Sequence, residues 1–163
     1  MNETDPTRAS DRLHWEDFVV GETREFGHYE VTREAVLEFA RQFDPQPFHL
    51  DDEAAVGALF GRLAASGWHT CAMAMRMMCD AYLLRAAGLG SPGVERLAWP
   101  TPVFPGDVLS MRSTVIDSRS LASRPGVGLV RSRSEVLNQS GAIVLSMEGV
   151  GFYARRAATP PPG

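Results

Sequence analysis

Asp44 and His49 stand five positions apart in the stretch FDPQPFHL, residues 43–50, with Pro45 and Pro47 between them. A carboxylate and an imidazole held at a set separation can exchange a proton with a bound water or substrate, provided both stay within hydrogen-bond reach of the reacting atom. The prolines supply stiffness. Each fixes its own φ and drives the preceding residue out of the α region, so the stretch reads as a rigid loop and not as helix interior. An Asp before Pro also opens ordinary turns, and a lone His is as a rule a hydrogen-bonded structural residue, so the loop by itself leaves both readings open. A second chemical element lies at Ser66 and Gly67. Ser66 is a natural N-cap, and Gly67 places no side chain over the free N–H groups at the positive end of the helix that follows, which suits an oxyanion site.

The elements that must position these groups can be read from periodicity and capping. Thr32 is a natural N-cap for a helix from Arg33 to about Gln42, which delivers the chain into the Asp44 loop. Asp51 or Asp52 caps a second short helix running to Leu59 and Phe60, closed by Gly61; the acidic run there reads as a helix start and not as a metal site, because acidic side chains favour a first turn. From Gly67 to Ala87 the chain is apolar or small on nearly every side, broken by Arg76, Asp80 and Arg85, so it predicts a long helix buried on more than one face. Its methionines read as flexible core filler. Residues Thr23 to Val31 form a candidate strand. After Pro92, the stretches Gly93–Trp99, Asp107–Asp117, Val127–Asn138 and Ala142–Tyr153 alternate like strands, joined by PTPVFPG, SRSLASRPG and QSG. None of these connections can hold a crossover helix, which predicts antiparallel pairing. The predicted architecture is α+β: an antiparallel sheet wrapped around one long helix, with residual apolar surface for a two-fold partner.

Composition bounds the function classes. The 163 residues fit one domain, expected over residues 13–154, with a polar segment 1–12 and a proline-rich tail 155–163 expected to be unstructured. The net charge is −4 and no block of like charge occurs, which argues against a nucleic-acid footprint and a polybasic membrane patch. All sixteen cationic side chains are Arg, a residue suited to gripping phosphate. Cys71 and Cys79, eight apart on one predicted helix, are too far apart along the axis for a disulfide. With no apolar signal core and no apolar run of about eighteen residues, a soluble cytoplasmic protein is expected.

Three stretches taken together carry a resemblance. FDPQPFHL, then AASGWHT, then LAWPTPVFPGD followed by two long strands, are similar to the MaoC-like dehydratase family of the hotdog fold, which includes the (R)-specific enoyl-CoA hydratases. The similarity spans Trp15 to Tyr153. The family loop pattern G-D-x-N-P-x-H matches Asp44 and His49 as the catalytic pair, and a family glycine that polarises the thioester carbonyl matches Gly67. Phe43 stands where the family has Gly, Gln46 where it has Asn, and Ser66 where many members have His. The resemblance implies reversible addition of water to an enoyl thioester, with coenzyme A or acyl carrier protein as the acyl carrier, no metal or redox cofactor, and a homodimer or a higher oligomer of dimers. Ser66, Phe48 and Trp68 are then expected around the substrate, and the acyl pocket is expected along the long helix among its methionines, Trp68 and Phe48. His14, His28 and His69 are read as structural. Two other functions stay open: a hotdog acyl thioesterase using the same helix terminus, and a non-catalytic acyl-ligand-binding subunit if Phe43 and Gln46 close the pocket.

Overall fold

The computed structural model describes residues 12–156. The expectations for residues 1–11 and 157–163 lie outside that span. Five strands, β1 (Thr23–Glu30), β2 (Gly88–Ala98), β3 (Val108–Leu121), β4 (Arg124–Leu137) and β5 (Ile143–Ala154), form one sheet in the order β1-β3-β4-β5-β2. Every pairing is antiparallel, as the short connections require. The helices α1 (Arg33–Phe43), α2 (Asp52–Val56) and α3 (Gly67–Ala81) all lie between β1 and β2 in the chain. The two edges of the sheet are therefore supplied by the strands that flank the helical segment, and the sheet curls around α3.

The core is the seam between α3 and the sheet. Met73, Ala74, Met77 and Met78 of α3 are buried against Leu109, Met111, Val136, Val144 and Leu145 of the strands. A bulge in β1 makes room for this helix. Gly27 has φ +89°, and a Cβ there would stand 2.5 Å from the Met77 sulfur, so a glycine is needed for both conformation and space. A smaller cluster of Phe18, Val115, Val130 and Tyr153 lies near the C-terminal end of α3.

Capping follows the predicted residues. The Thr32 hydroxyl accepts from Ala35 N–H at 3.2 Å, and the Asp51 carboxylate accepts from Ala54 N–H at 2.9 Å. Five expectations are corrected, the first being that β2 starts at Gly88 and not at Gly93. The long helix ends at Ala81 and not at Ala87, because Tyr82 leaves helical geometry (φ −154°) and turns its ring edge-on to Phe18 and Phe26. The second helix ends at Val56, and residues 57–60 continue as turns. The polar stretch 118–126, expected as a loop, is strand on both sides of a tight turn at residues 122–123; its outward Ser and Arg residues hide the alternation. Finally, Arg155 and Arg156 are tied down. Arg156 forms an ion pair with Asp17 at 2.6 Å, and Arg155 N–H donates to the Gly126 carbonyl at 2.9 Å.

Candidate active site

α1 aims the first catalytic candidate. Its last turn closes with Asp44 N–H donating to the Ala40 carbonyl at 3.0 Å, and Pro45 forbids another turn. The chain then makes a 3-10 turn over Pro47–His49, in which His49 N–H donates to the Gln46 carbonyl at 2.9 Å. This brings the two side chains together: Asp44 Oδ2 lies 3.5 Å from His49 Nε2. His49 is buried, and its Nδ1 stands 2.8 Å from the Ala64 carbonyl oxygen. A carbonyl can only accept, so Nδ1 carries a proton, and Nε2 is the ring nitrogen turned toward Asp44. An imidazole nitrogen and a carboxylate oxygen at that separation can share one water.

Asp44 is held from two sides. The Ser66 hydroxyl donates to Oδ2 at 2.6 Å, and the Gln46 amide donates to Oδ1 at 2.7 Å. Burial alone pushes the carboxyl up; these two hydrogen bonds, helped by the nearby His49, outweigh it and leave the group below its ordinary value of 3.8. Asp44 is therefore a carboxylate at neutral pH. Ser66 also caps α3, accepting from Trp68 N–H at 3.2 Å, so one hydroxyl couples the Asp44 loop to the start of the central helix.

The N–H of Gly67, the first residue of α3, has no acceptor among the described residues, as a first-turn donor should. The space beside its Cα is not left for a ligand, however. A Cβ on Gly67 would stand 2.6 Å from the Trp99 indole, which packs edge-on against Trp68 with centroids 5.4 Å apart. Phe48 is half-buried against His49, while Trp68 is 60% exposed. His69 stacks on Phe39 at 4.7 Å, and burial pushes its pKa down. The roles of the Ala64 carbonyl and of Trp99 were illegible: a backbone acceptor leaves no mark on residue type, and Trp99 lies far along the chain from the helix it covers. Gln46 carried a signal as a polar residue two positions from Asp44, and Ser66 as a helix N-cap.

A cavity of about 320 Å³ lies between the C-terminal half of α3 and the sheet, with Met75, Met78, Val94, Met147, Tyr82 and Tyr153 among its walls. Met75 and Met78 of α3 line it, whereas Phe48 and Trp68 stand nearer the Asp44 loop and do not.

The loop, the capped helix and the wrapped sheet coincide with a known family. The model for the MaoC like domain matches residues 17–136. The chain belongs to the MaoC-like domain family. Among solved structures, this MaoC-like chain is similar to a MaoC-like dehydratase from Rhodospirillum rubrum, with 42% identity over 90% of this chain and 99% of that one, at a TM-score of 0.84. It is similar in fold to an (R)-hydratase from Pseudomonas aeruginosa in its unliganded form, with 23% identity over 93% and 96% of the two chains and a TM-score of 0.69. A conserved hypothetical protein from Mycobacterium tuberculosis with a double hotdog fold matches 94% of this chain at 16% identity and a TM-score of 0.78, and only 47% of its own length takes part. The MaoC-like fold of this chain is thus the hotdog, the sheet-wrapped helix expected from the sequence.

Proposed function

We propose that the protein catalyses reversible hydration of a 2-enoyl thioester to a 3-hydroxyacyl thioester, and the observation that carries this reading is the Asp44–His49 seat beside the N-terminus of α3. In the hydration direction, a water held between Asp44 Oδ2 and His49 Nε2 bonds through its oxygen to C3 of the enoyl group. It gives up one proton to the pair, and the pair delivers one proton to C2. Negative charge gathers on the thioester oxygen during the step, where the unpaired Gly67 N–H and the helix dipole can face it. Losing such a donor typically costs about 3 to 4 kcal/mol of transition-state stabilisation. Coenzyme A or acyl carrier protein would supply the thioester.

We read Phe43 and Gln46 as leaving the site open. Phe43 ends α1 with its side chain 69% exposed, and Gln46 donates to Asp44 through its amide. The acyl group would run along α3 into the cavity beside Met75 and Met78, which begins about 12 Å from Gly67 at 1.5 Å rise per residue. That distance favours a medium-length acyl chain. The dimer belongs to the same reading, since the 16%-identical mycobacterial neighbour holds a double hotdog in one chain. Incubation with medium-chain 2-enoyl-CoA tests the reaction. Loss of the enoyl absorbance without release of free thiol is the expected result; release of thiol would point to a thioesterase, and no change would point to a binding subunit.

A further inference from the structure

The cavity beside α3 has a polar end for which the hydration step has no use. Its walls are apolar where Met75, Met78 and Met147 meet, but Tyr82, Tyr153 and Ser132 also line it. Both tyrosine rings are fixed by Phe18, with centroids 4.3 Å from Tyr153 and 6.2 Å, edge-on, from Tyr82. Tyr153 is only 7% exposed. Its hydroxyl leans over Gly151, 3.1 Å from where a Cβ would stand, on the sheet face that forms the cavity wall. Both tyrosines line the cavity, and among the described residues neither phenol hydroxyl has a hydrogen-bond partner. Hydroxyls that line such a cavity are satisfied by water while it holds only water. An alkyl terminus placed here would strip water from these groups and return nothing.

We propose that this cavity accepts an acyl group with an apolar body and a neutral oxygen function, a hydroxyl or a ketone, at its distal end, held by the hydroxyls of Tyr153 and Tyr82. The inference rests on the hydratase reading for where the thioester sits. A carboxylate at the same point is disfavoured. Burial pushes both phenols up, so they stay neutral donors, and the nearest cation, Arg24, is already committed: it donates to the Asp17 carbonyl at 2.9 Å, lies 3.5 Å from Glu22, and rests against the Phe18 and Tyr82 rings. An unpaired carboxylate would lose its hydration with no free cation to replace it.

Titration calorimetry with saturated acyl-CoA thioesters of about six to twelve carbons reads the pocket without any turnover. At the best-fitting length, the ω-hydroxy or ω-keto thioester is expected to bind about fivefold to tenfold tighter than the plain one, the usual scale of one hydrogen bond, and the ω-carboxy thioester weaker than either. Tyr153→Phe and Tyr82→Phe keep the ring packing on Phe18 and are each expected to bring the ratio toward one. Equal or tighter binding of the plain chain, a ratio that survives both substitutions, or a preference for the carboxylate would overturn the inference. A protein that shows the preference but leaves the matching 2-enoyl thioester unhydrated would refute the proposed reaction and keep the pocket.

Discussion

The Asp44 side chain has three polar partners: Gln46, Ser66 and His49. If it and His49 act on one water, Asp44→Asn and His49→Ala should each lower turnover about a hundredfold or more, the scale of losing a positioned acid or base, and the double variant should cost little more than either. Circular dichroism should stay unchanged, because Asn is nearly isosteric and Pro45 and Pro47 still hold the loop. A folded Asp44→Asn protein with full activity would sink the assignment. Ser66 makes a separate prediction. With its folded pKa depressed, Asp44 supports activity above that value, and activity falls as pH drops through it. Its contribution to stability likewise is present above the unfolded value of about 3.8 and is lost as pH falls below it. Ser66→Ala removes a hydrogen bond that lowers the pKa, so the acid limb of the pH–rate profile should move to higher pH. The same change removes the α3 cap, which should cost about 1 kcal/mol of stability, readable as a lower midpoint in denaturant.

At the scale of elements, legibility followed the local signals. Thr32, Asp51 and Ser66 each cap the helix they were expected to cap, since a capping side chain and the N–H it serves are neighbours in the chain. Boundaries set by tertiary contacts were not legible: Ala81 ends α3 because Tyr82 turns toward Phe18 and Phe26, both more than fifty residues earlier. β2 starts five residues earlier than its alternation suggested, because Gly88, Gly90 and Gly93 sit at register shifts. Gly67 falls between these cases. Its place at the head of α3 was legible, but the Trp99 indole that fills the space beside it was not. Gly67→Ala should therefore destabilise by about 1 to 3 kcal/mol through overpacking, while keeping the N–H itself. Trp99→Ala in the same chain should restore part of that stability, a coupling readable in a double-mutant cycle of denaturant midpoints. Additive losses would mean the two residues do not meet.

For the whole molecule, the wrapped helix is only partly covered. α3 leaves Trp68 and Met75 at least half exposed, and the adjoining edge strand β2 leaves Leu89 and Val94 so as well. They fall into two groups: Trp68 packs on Trp99 just past the end of β2, and Met75 and Val94 line the same cavity. β2 pairs with β5 on one side only, so its outer edge presents unpaired backbone groups beside an apolar patch, a combination that isolated soluble chains suppress. A second copy would satisfy both at once, joining β2 to β2 across a two-fold axis and laying the two α3 helices side by side. Sedimentation at micromolar concentration should then report twice 17.8 kDa, and a stable monomer would count directly against the arrangement. Val94→Lys should weaken the dimer by placing a charge at the centre of the joint, where stable interfaces exclude charge. Because the same strand walls the cavity proposed for the acyl group, catalytic efficiency on medium-chain substrates should fall with the dimer fraction across a dilution series, while a cavity complete within one chain would leave specific activity independent of concentration.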